Sequence, residues 1–222
     1  MYEAAFQGGL LPLYLWPMPT LLDHAKRIQA LAQIGLTYST NPYDLERYEE
    51  LKEIALQLMN AATGLPVEKL AQHYGDAREY ATPKVDIRAV VVNDAGEILL
   101  VREAADGRWS LPGGWADIGY SPKEVVIKEM AEETGLTVTP TRLLAVMDKR
   151  KHAHPPALEY VYKLFIACTV TAGEIRSSHE ILGCAFFAED NLPELSLDRV
   201  TAEQIHLMFA YAKDPAKPVM LD

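Results

Sequence analysis

Cysteine is scarce in this chain: Cys168 and Cys184 are the only two. Both fall in strand-like apolar runs, a setting for buried, reduced thiols rather than for a disulfide framework or a thiolate metal pair. Long apolar runs are missing as well. Residues 8–19 are apolar and aromatic, but the run is short, is broken by Pro12, Pro17 and Pro19, and has no basic residue before it. It reads neither as a signal peptide nor as a membrane span, which needs about twenty apolar residues. A packing arm or an extension from an upstream start codon is what is left. Basic residues are outnumbered: 21 Lys and Arg against 31 Asp and Glu give a net charge of −10. That balance excludes broad, sequence-independent nucleic-acid binding. It permits a small anionic substrate, because a bound cation inverts the local charge. Internal repeats and low-complexity tracts are absent. The expectation is a cytoplasmic protein with no membrane partner.

Nearly half of the 222 residues are hydrophobic, enough for a core domain and a smaller companion. Residues 21–80 read as a helical module. Leu21, Ala25, Ile28 and Ala32 form one apolar stripe at helical spacing. Asn41 caps a second helix with Pro42 at its first position. Leu45, Tyr48, Leu51, Ala55, Leu58 and Ala62 make its apolar face, and Gly64 and Pro66 end it. A third, short helix is expected over 66–74, stopping at Gly75. Six basic and nine acidic side chains in 21–80 argue against a DNA-reading helix-turn-helix. So small a module needs a surface to pack on, so a dimerisation or substrate-lid role is expected. The division is 1–20 as an N-terminal extension, 21–80 as the helical module and 81–222 as the main domain.

From Thr82 the period changes to two. Val85, Ile87, Ala89 and Val91 alternate, residues 93–96 turn, and 98–102 return as the second arm of a hairpin. Further strands are expected over 108–111, 142–148, 160–171 and 181–187, with Pro140 making the chain around it irregular. Thr201, with Gln204 three residues on, caps a last helix. Strands, helix, strands, helix in that order define an α/β domain with a mixed sheet sandwiched by helices.

The most informative stretch is 111–136. Gly113-Gly114 lets backbone approach a ligand closely. Ser121, Pro122 and Glu124 form an N-cap, first-turn proline and capping box, and Gly135 ends the helix that follows. Ile127 and Ala131 are expected to face the core, with Met130 on the flank. Glu129, Glu132 and Glu133 stand at i, i+3 and i+4, so they share a face. Like charges at that spacing destabilise a helix. Either the face is simply solvated, or a hard divalent cation sits over it, the kind of ion that takes oxygen ligands and bridges to phosphates. The glycines and the well-defined helix ends favour the cation.

These residues resemble the Nudix box, G-x5-E-x7-R-E-U-x-E-E-x-G-U with U a bulky apolar residue. Gly114 matches the leading glycine; Glu129, Met130, Glu132, Glu133, Gly135 and Leu136 match its core. Tyr120 stands where the family has its first glutamate and Lys128 where it has arginine, so a scaffold contact is changed while the acids are kept. The resemblance implies a Nudix-type α/β/α sandwich over 82–212 and Mg2+ (or Mn2+) held by Glu129, Glu132 and Glu133. The Gly114 carbonyl is a further ligand in the family. Residues 31–38, 43–51, 147–156 and 195–200 also resemble a subgroup with an N-terminal helical domain, similar to CDP-choline pyrophosphatases and ADP-ribose pyrophosphatase-like proteins. The implied activity is hydrolysis of the pyrophosphate bond of a nucleoside diphosphate linked to another moiety. CDP-choline, giving CMP and phosphocholine, is the first expectation and ADP-ribose or a nucleotide sugar the second. A non-catalytic nucleotide-sugar sensor is the alternative class. A homodimer is expected because the subgroup's family often dimerises.

Other residues carry two readings each. Lys149, Arg150 and Lys151 either clamp phosphate as charged donors or form a solvated loop. His152 and His154 either touch substrate or are merely exposed. Arg102 and Trp109, before the glycines, either face the substrate, with Trp109 stacking on a base, or pack. Glu180, after the 177–179 stretch, is a possible further metal ligand.

Overall fold

The computed structural model describes residues 19–75, 79–176 and 180–222. Most of the N-terminal extension, and Ser177, Ser178 and His179, lie outside the described residues. The chain divides into two compact units, Met1–Ala81 and Thr82–Asp222. Among the described residues no helix is long and apolar enough to cross a membrane.

The first unit holds α1 (Leu21–Tyr38), α2 (Pro42–Thr63) and α3 (Val67–Tyr74). Thr20 opens α1 with a reciprocal capping box to Asp23. The Asn41 side chain accepts the Tyr43 N–H at the start of α2, and Gly64, in a left-handed conformation, ends it. The apolar stripes run in a different phase from the sequence reading. In α1 Leu22, Ala25, Ala32 and Leu36 are buried while Leu21 is exposed; in α2 Ala55, Leu56 and Met59 are buried while Leu51 and Ala62 are not. The close crossing of α1 and α2 accounts for the shift. A Cβ on Gly35 would stand 2.4 Å from the Tyr48 ring, so the absent side chain lets the helices meet there and decides which residues turn inward.

The second unit contains two sheets. The five-stranded mixed sheet has the order β4-β1-β6-β5-β8 and the three-stranded antiparallel sheet the order β3-β2-β7. Their ranges are β1 (Lys84–Val90), β2 (Ile98–Glu103), β3 (Trp109–Ser110), β4 (Gly113–Trp115), β5 (Leu136–Asp148), β6 (Val161–Gly173), β7 (Ile181–Phe187) and β8 (Met220–Leu221). Two helices complete the unit, α4 (Pro122–Thr134) and α5 (Ala202–Lys213). One core cluster joins Ile87, Ala89 and Ile166 of the mixed sheet to Val125, Val126 and Met130 of α4. The other joins Phe165, Ala145 and Met147 to Ile205, Met208 and Phe209 of α5. The mixed sheet thus lies between α4 and α5, an α/β/α sandwich. Each fully buried large side chain of this kind contributes roughly 1.5–3 kcal/mol relative to exposure.

The expected hairpin is present only as a turn. Asn93 N–H donates to the Glu97 carbonyl and Leu99 N–H to the Val91 carbonyl, but β1 and β2 then part into different sheets. The edges of β1 are already taken, by β4 antiparallel and by β6 parallel. The strand expected from residue 142 begins directly after the helix, at Leu136. Its register with β6 slips between Pro140 and Arg142, because proline has no N–H to give the ladder and is accommodated at a bulge.

Candidate active site

Helix α4 begins and ends where its residues dictate. Ser121 and Glu124 exchange backbone and side-chain bonds in a capping box, and Gly135, at φ 75°, closes the last turn. Its phase differs from the sequence reading: Val125, Val126 and Met130 are buried, whereas Ile127 and Ala131 are exposed. With Met130 inward, Glu133 three residues on turns inward too, Glu129 is half-buried and Glu132 faces solvent. The acid trio therefore spans the helix boundary between core and water.

Each carboxylate has a distinct setting. Glu133 accepts the Gly113 backbone N–H at 2.8 Å. Burial pushes its carboxyl up to about 8, against the pull of Arg88 and of that hydrogen bond. Burial also raises Glu129, with Lys128 opposing and Glu132 reinforcing the shift. Glu132 pairs with Lys128 at 3.0 Å. Lys128 also lies 3.6 Å from Asp117 and 4.0 Å from Glu129. Tyr120, in the position of the box's first acid, is half exposed. Asp117, three residues earlier, supplies a carboxylate to the lysine instead.

The glycines bring the preceding strand against this helix. Gly113 has φ 135°, and a Cβ on it would stand 2.1 Å from the Ile87 carbonyl oxygen, so no other residue fits without moving β1. A Cβ on Gly114 would stand 3.1 Å from Glu129 Oε1; its absence leaves that oxygen open against the backbone.

These groups line a cleft of about 540 Å³ together with Asp86, Arg88, Glu103, Lys149, Glu180 and Arg199, a size suited to a small ligand. Eight carboxylates and three basic side chains face it. Its floor is a buried ionic network missed by the sequence reading. Arg88 Nε donates to Asp86 Oδ1 at 2.9 Å and Arg88 Nη1 to the Leu111 carbonyl at 2.9 Å. Lys163 Nζ bonds the other oxygen of Asp86. Glu103 accepts from the Ser110 hydroxyl at 2.6 Å, pairs with Arg199 at 3.0 Å and lies 4.0 Å from Arg88. Burial opposes the ionisation of Asp86, but Arg88 and Lys163 outweigh it and hold the carboxyl below its usual range. Burial pulls Lys163 down to about 8 against the pull of Asp86, and the nearby Arg88 charge adds to the shift. The signal for this network was in the sequence. Lys84, Asp86 and Arg88 alternate with Val85, Ile87 and Ala89, and a strand with charges at every second position carries a polar row on one face.

The residues expected at the site part company. Gly114, Glu129, Glu133, Lys149 and Glu180 line the cleft, while Glu132 lies on its solvent side, held by Lys128. Arg102, Trp109, Arg150 and His154 are not among the lining residues. Arg102 Nε donates to the Gly107 carbonyl at 2.8 Å. Trp109 meets Phe187 edge-on at 4.7 Å within the core. Arg150 pairs with Asp148 and lies 4.7 Å over the Tyr160 ring. His154 bonds the Leu197 carbonyl through Nδ1 at 2.6 Å, and His152 Nε2 lies 3.0 Å from Asp222. Cys168 and Cys184 are free thiols, pushed up by burial to about 12 and about 11.

Among the described residues no three His, Cys, Asp or Glu side chains converge into a ready metal cage. The donor set nevertheless fits a magnesium-type ion, which is held by one or two carboxylates and completed by water and phosphate oxygens. Glu129 and Glu133 are carboxylates whose ionisation burial disfavours, and a hard cation beside them reverses that bias.

An α/β/α sandwich whose acidic helix follows a glycine pair against a cleft defines a phosphoanhydride-cleaving class. The chain belongs to the Nudix family: a Nudix domain matches residues 82–209, and a "UDP-X-like, N-terminal oligomerisation domain" matches 19–74. It is a Nudix pyrophosphohydrolase. The chain is similar to a putative ADP-ribose pyrophosphatase, YjhB, of Bacillus subtilis, with 44% identity over 90% of this chain and 96% of that one. Among solved structures it is similar to a UDP-X diphosphatase, at 36% identity and a TM-score of 0.60 over 91% of this chain and 98% of the other. It is also similar to an ADP-ribose pyrophosphatase of Streptococcus suis, at 41% identity and a TM-score of 0.58 over 64% of this chain and all of the other.

Proposed function

We propose that the chain hydrolyses the pyrophosphate bond of a nucleoside diphosphate linked to another moiety, using Mg2+ or Mn2+. The observation that carries this is the pair Glu129 and Glu133, two carboxylates disfavoured by burial, one of them pinned to the glycine strand at the cleft. Glu129, Glu133 and the Gly114 carbonyl would hold the ion, with Glu132 and Glu180 as further donors. When bound, the metal neutralises phosphate oxygens and lowers the pKa of a ligated water. One of the box glutamates, or another carboxylate of the cleft, would take the proton of the attacking water. Glu133 holds the glycine strand in register with the helix. Lys149, Arg199 and Arg88 set positive charge around the cleft, suited to orienting the phosphates.

For the substrate we put ADP-ribose first, because two relatives of more than 40% identity carry that name. CDP-choline, the substrate implied by the sequence resemblance, is the second reading. The excess of carboxylates around the cleft suits its cationic trimethylammonium end. Assays of ADP-ribose, CDP-choline and UDP-sugars with Mg2+, read by product chromatography, decide between them. Turnover of none of these by wild type, with tight binding of one of them, would sink the enzymatic reading in favour of a nucleotide-sugar sensor. The helical module is proposed to pair two copies into a homodimer. Its match to an oligomerisation domain and its exposed Leu51 and Ile54 support this. Sedimentation giving a monomer at all concentrations would refute it. Two free thiols, one of them buried, suit the reducing cytoplasm.

A further inference from the structure

Among the described residues that line the cleft, Trp115 alone carries an aromatic ring. It is 50% exposed, unusual for a side chain that is highly buried on average. It belongs to neither core cluster, whereas Trp109 packs into one of them. Strand pairing aims it. Trp115 stands opposite Asp86 in the antiparallel β1–β4 ladder, and directly opposed residues leave a sheet on the same side. Asp86 is part of the cleft floor, so the indole rises beside that floor as a wall. On one side the ring is met by Lys84 Nζ, 5.4 Å from its centroid. Lys84 is in turn held by Glu159 at 3.6 Å, and Glu159 lines the cleft. The remaining lining is dominated by charge, so the indole is the flat apolar surface the cleft offers.

The shared cleft ties it to the chemistry, since Glu129 and Glu133 line it as well. Gly114 precedes Trp115, in the position where a Cβ would crowd Glu129 Oε1. The acids of α4, suited to phosphates, and the flat ring of β4 thus line one cleft, as phosphate and base follow one another across a ribose. We propose that Trp115 is the stacking platform for the nucleobase of the substrate. The proposal rests on reading the chain as a nucleoside-diphosphate pyrophosphatase and adds the residue that takes the base. Every base has a π-face, so a ring of this kind contributes affinity without choosing among bases. Base choice then falls to other groups, and tolerance of adenine and cytosine alike is the natural behaviour of such a site.

The test uses the full chain loaded with Mg2+, with Trp115→Ala and Trp115→Phe beside wild type. Titration calorimetry measures the binding of AMP, CMP and ribose 5-phosphate, and circular dichroism checks that each variant folds. In Trp115→Ala, AMP and CMP are expected to weaken by about 5- to 150-fold, the range for removing one base-stacking ring. Ribose 5-phosphate should bind as in wild type, and Trp115→Phe should keep most of the nucleotide affinity. Unchanged AMP binding in Trp115→Ala overturns the proposal. An equal loss for AMP and ribose 5-phosphate overturns it too, because the ring would then be scaffold. ADP-ribose and CDP-choline hydrolysis by wild type is run in parallel. Turnover with unchanged AMP binding sinks the platform and leaves the enzyme. Trp115-dependent AMP binding without any turnover upholds the platform and sinks the pyrophosphatase reading. Neither turnover nor AMP binding sinks both.

Discussion

The Glu133 carboxylate receives the Gly113 backbone N–H at 2.8 Å, and through it the acidic helix grips the strand that carries Gly114 and Trp115. A glutamine keeps an oxygen for that N–H but loses the charge. Glu133→Gln is therefore expected to fold normally, with a melting temperature in chelator no lower than wild type. Its kcat should fall by about 100-fold or more, the scale of losing one well-placed charged group. Calorimetric melting and steady-state kinetics on the same preparations check both halves. A variant that melts early would assign Glu133 a purely structural part.

Metal removal has its own signature. Chelator should abolish turnover, and Mg2+ or Mn2+ should restore it. Binding at about 100 times Kd stabilises a fold by about 2.7 kcal/mol, which for a chain of this size is roughly 5–10 °C in Tm. Thermal scans against metal concentration test this. A Tm indifferent to metal across the millimolar range would mean that the acids bind no ion.

Arg88 is buried among Asp86, Glu103 and the field of Glu133. Its removal leaves Asp86 with Lys163 and Glu103 with Arg199 as their remaining cations, and breaking a buried pair of this kind costs up to about 3–5 kcal/mol. Arg88→Met should lower the urea midpoint accordingly, with Arg88→Lys falling between, since an ammonium cannot reproduce the bonds to both Asp86 and the Leu111 carbonyl. An unshifted midpoint would show that the network contributes little.

His154 gives a pH dependence of definite sign. Its Nδ1–H donates to the Leu197 carbonyl, while Nε2 is buried and meets no partner among the described residues. Protonating Nε2 would bury an unpaired donor. Burial accordingly depresses the imidazole from 6.5 to about 4, despite the pull of the Leu197 carbonyl, and Lys163 and Lys149 add to the shift. A depressed base takes up fewer protons folded than unfolded between those values, so stability is full above pH 6.5 and declines as pH falls toward 4. Urea unfolding across pH 4–7 should show this decline, and His154→Gln should flatten it. Identical slopes in the two proteins would refute the assignment.

Local chemistry made the helix ends legible: Ser121, Glu124, Gly135, Asn41, Gly64 and Thr201 each act as their residue type suggests. Helix phase was less legible. Val126 and Met130 compete with Ile127 and Ala131 for the core, and the winner is set by the sheet beneath rather than by the helix. The same limit applies to the two tryptophans flanking the glycines. Trp109 stands opposite Arg102 and packs on Phe187, whereas Trp115 stands opposite Asp86; only strand pairing separates them. The floor of the cleft was half legible. Charges at 84, 86 and 88 mark a polar row, but their partners Glu103 and Lys163 come from strands whose adjacency no local pattern reveals.

Adjacency of that kind also sets an order of events at the ribosome. Lys163 joins Asp86 across 77 residues of chain, and β1 has β6 as its parallel neighbour. The helices of the first unit are complete while most of the second is still unmade. The strand bearing Asp86 and Arg88 must then wait for Lys163 and its parallel neighbour until translation has passed residue 173. Nascent chains halted before that point hold no cleft, and closing so long a loop is slow compared with forming local helices.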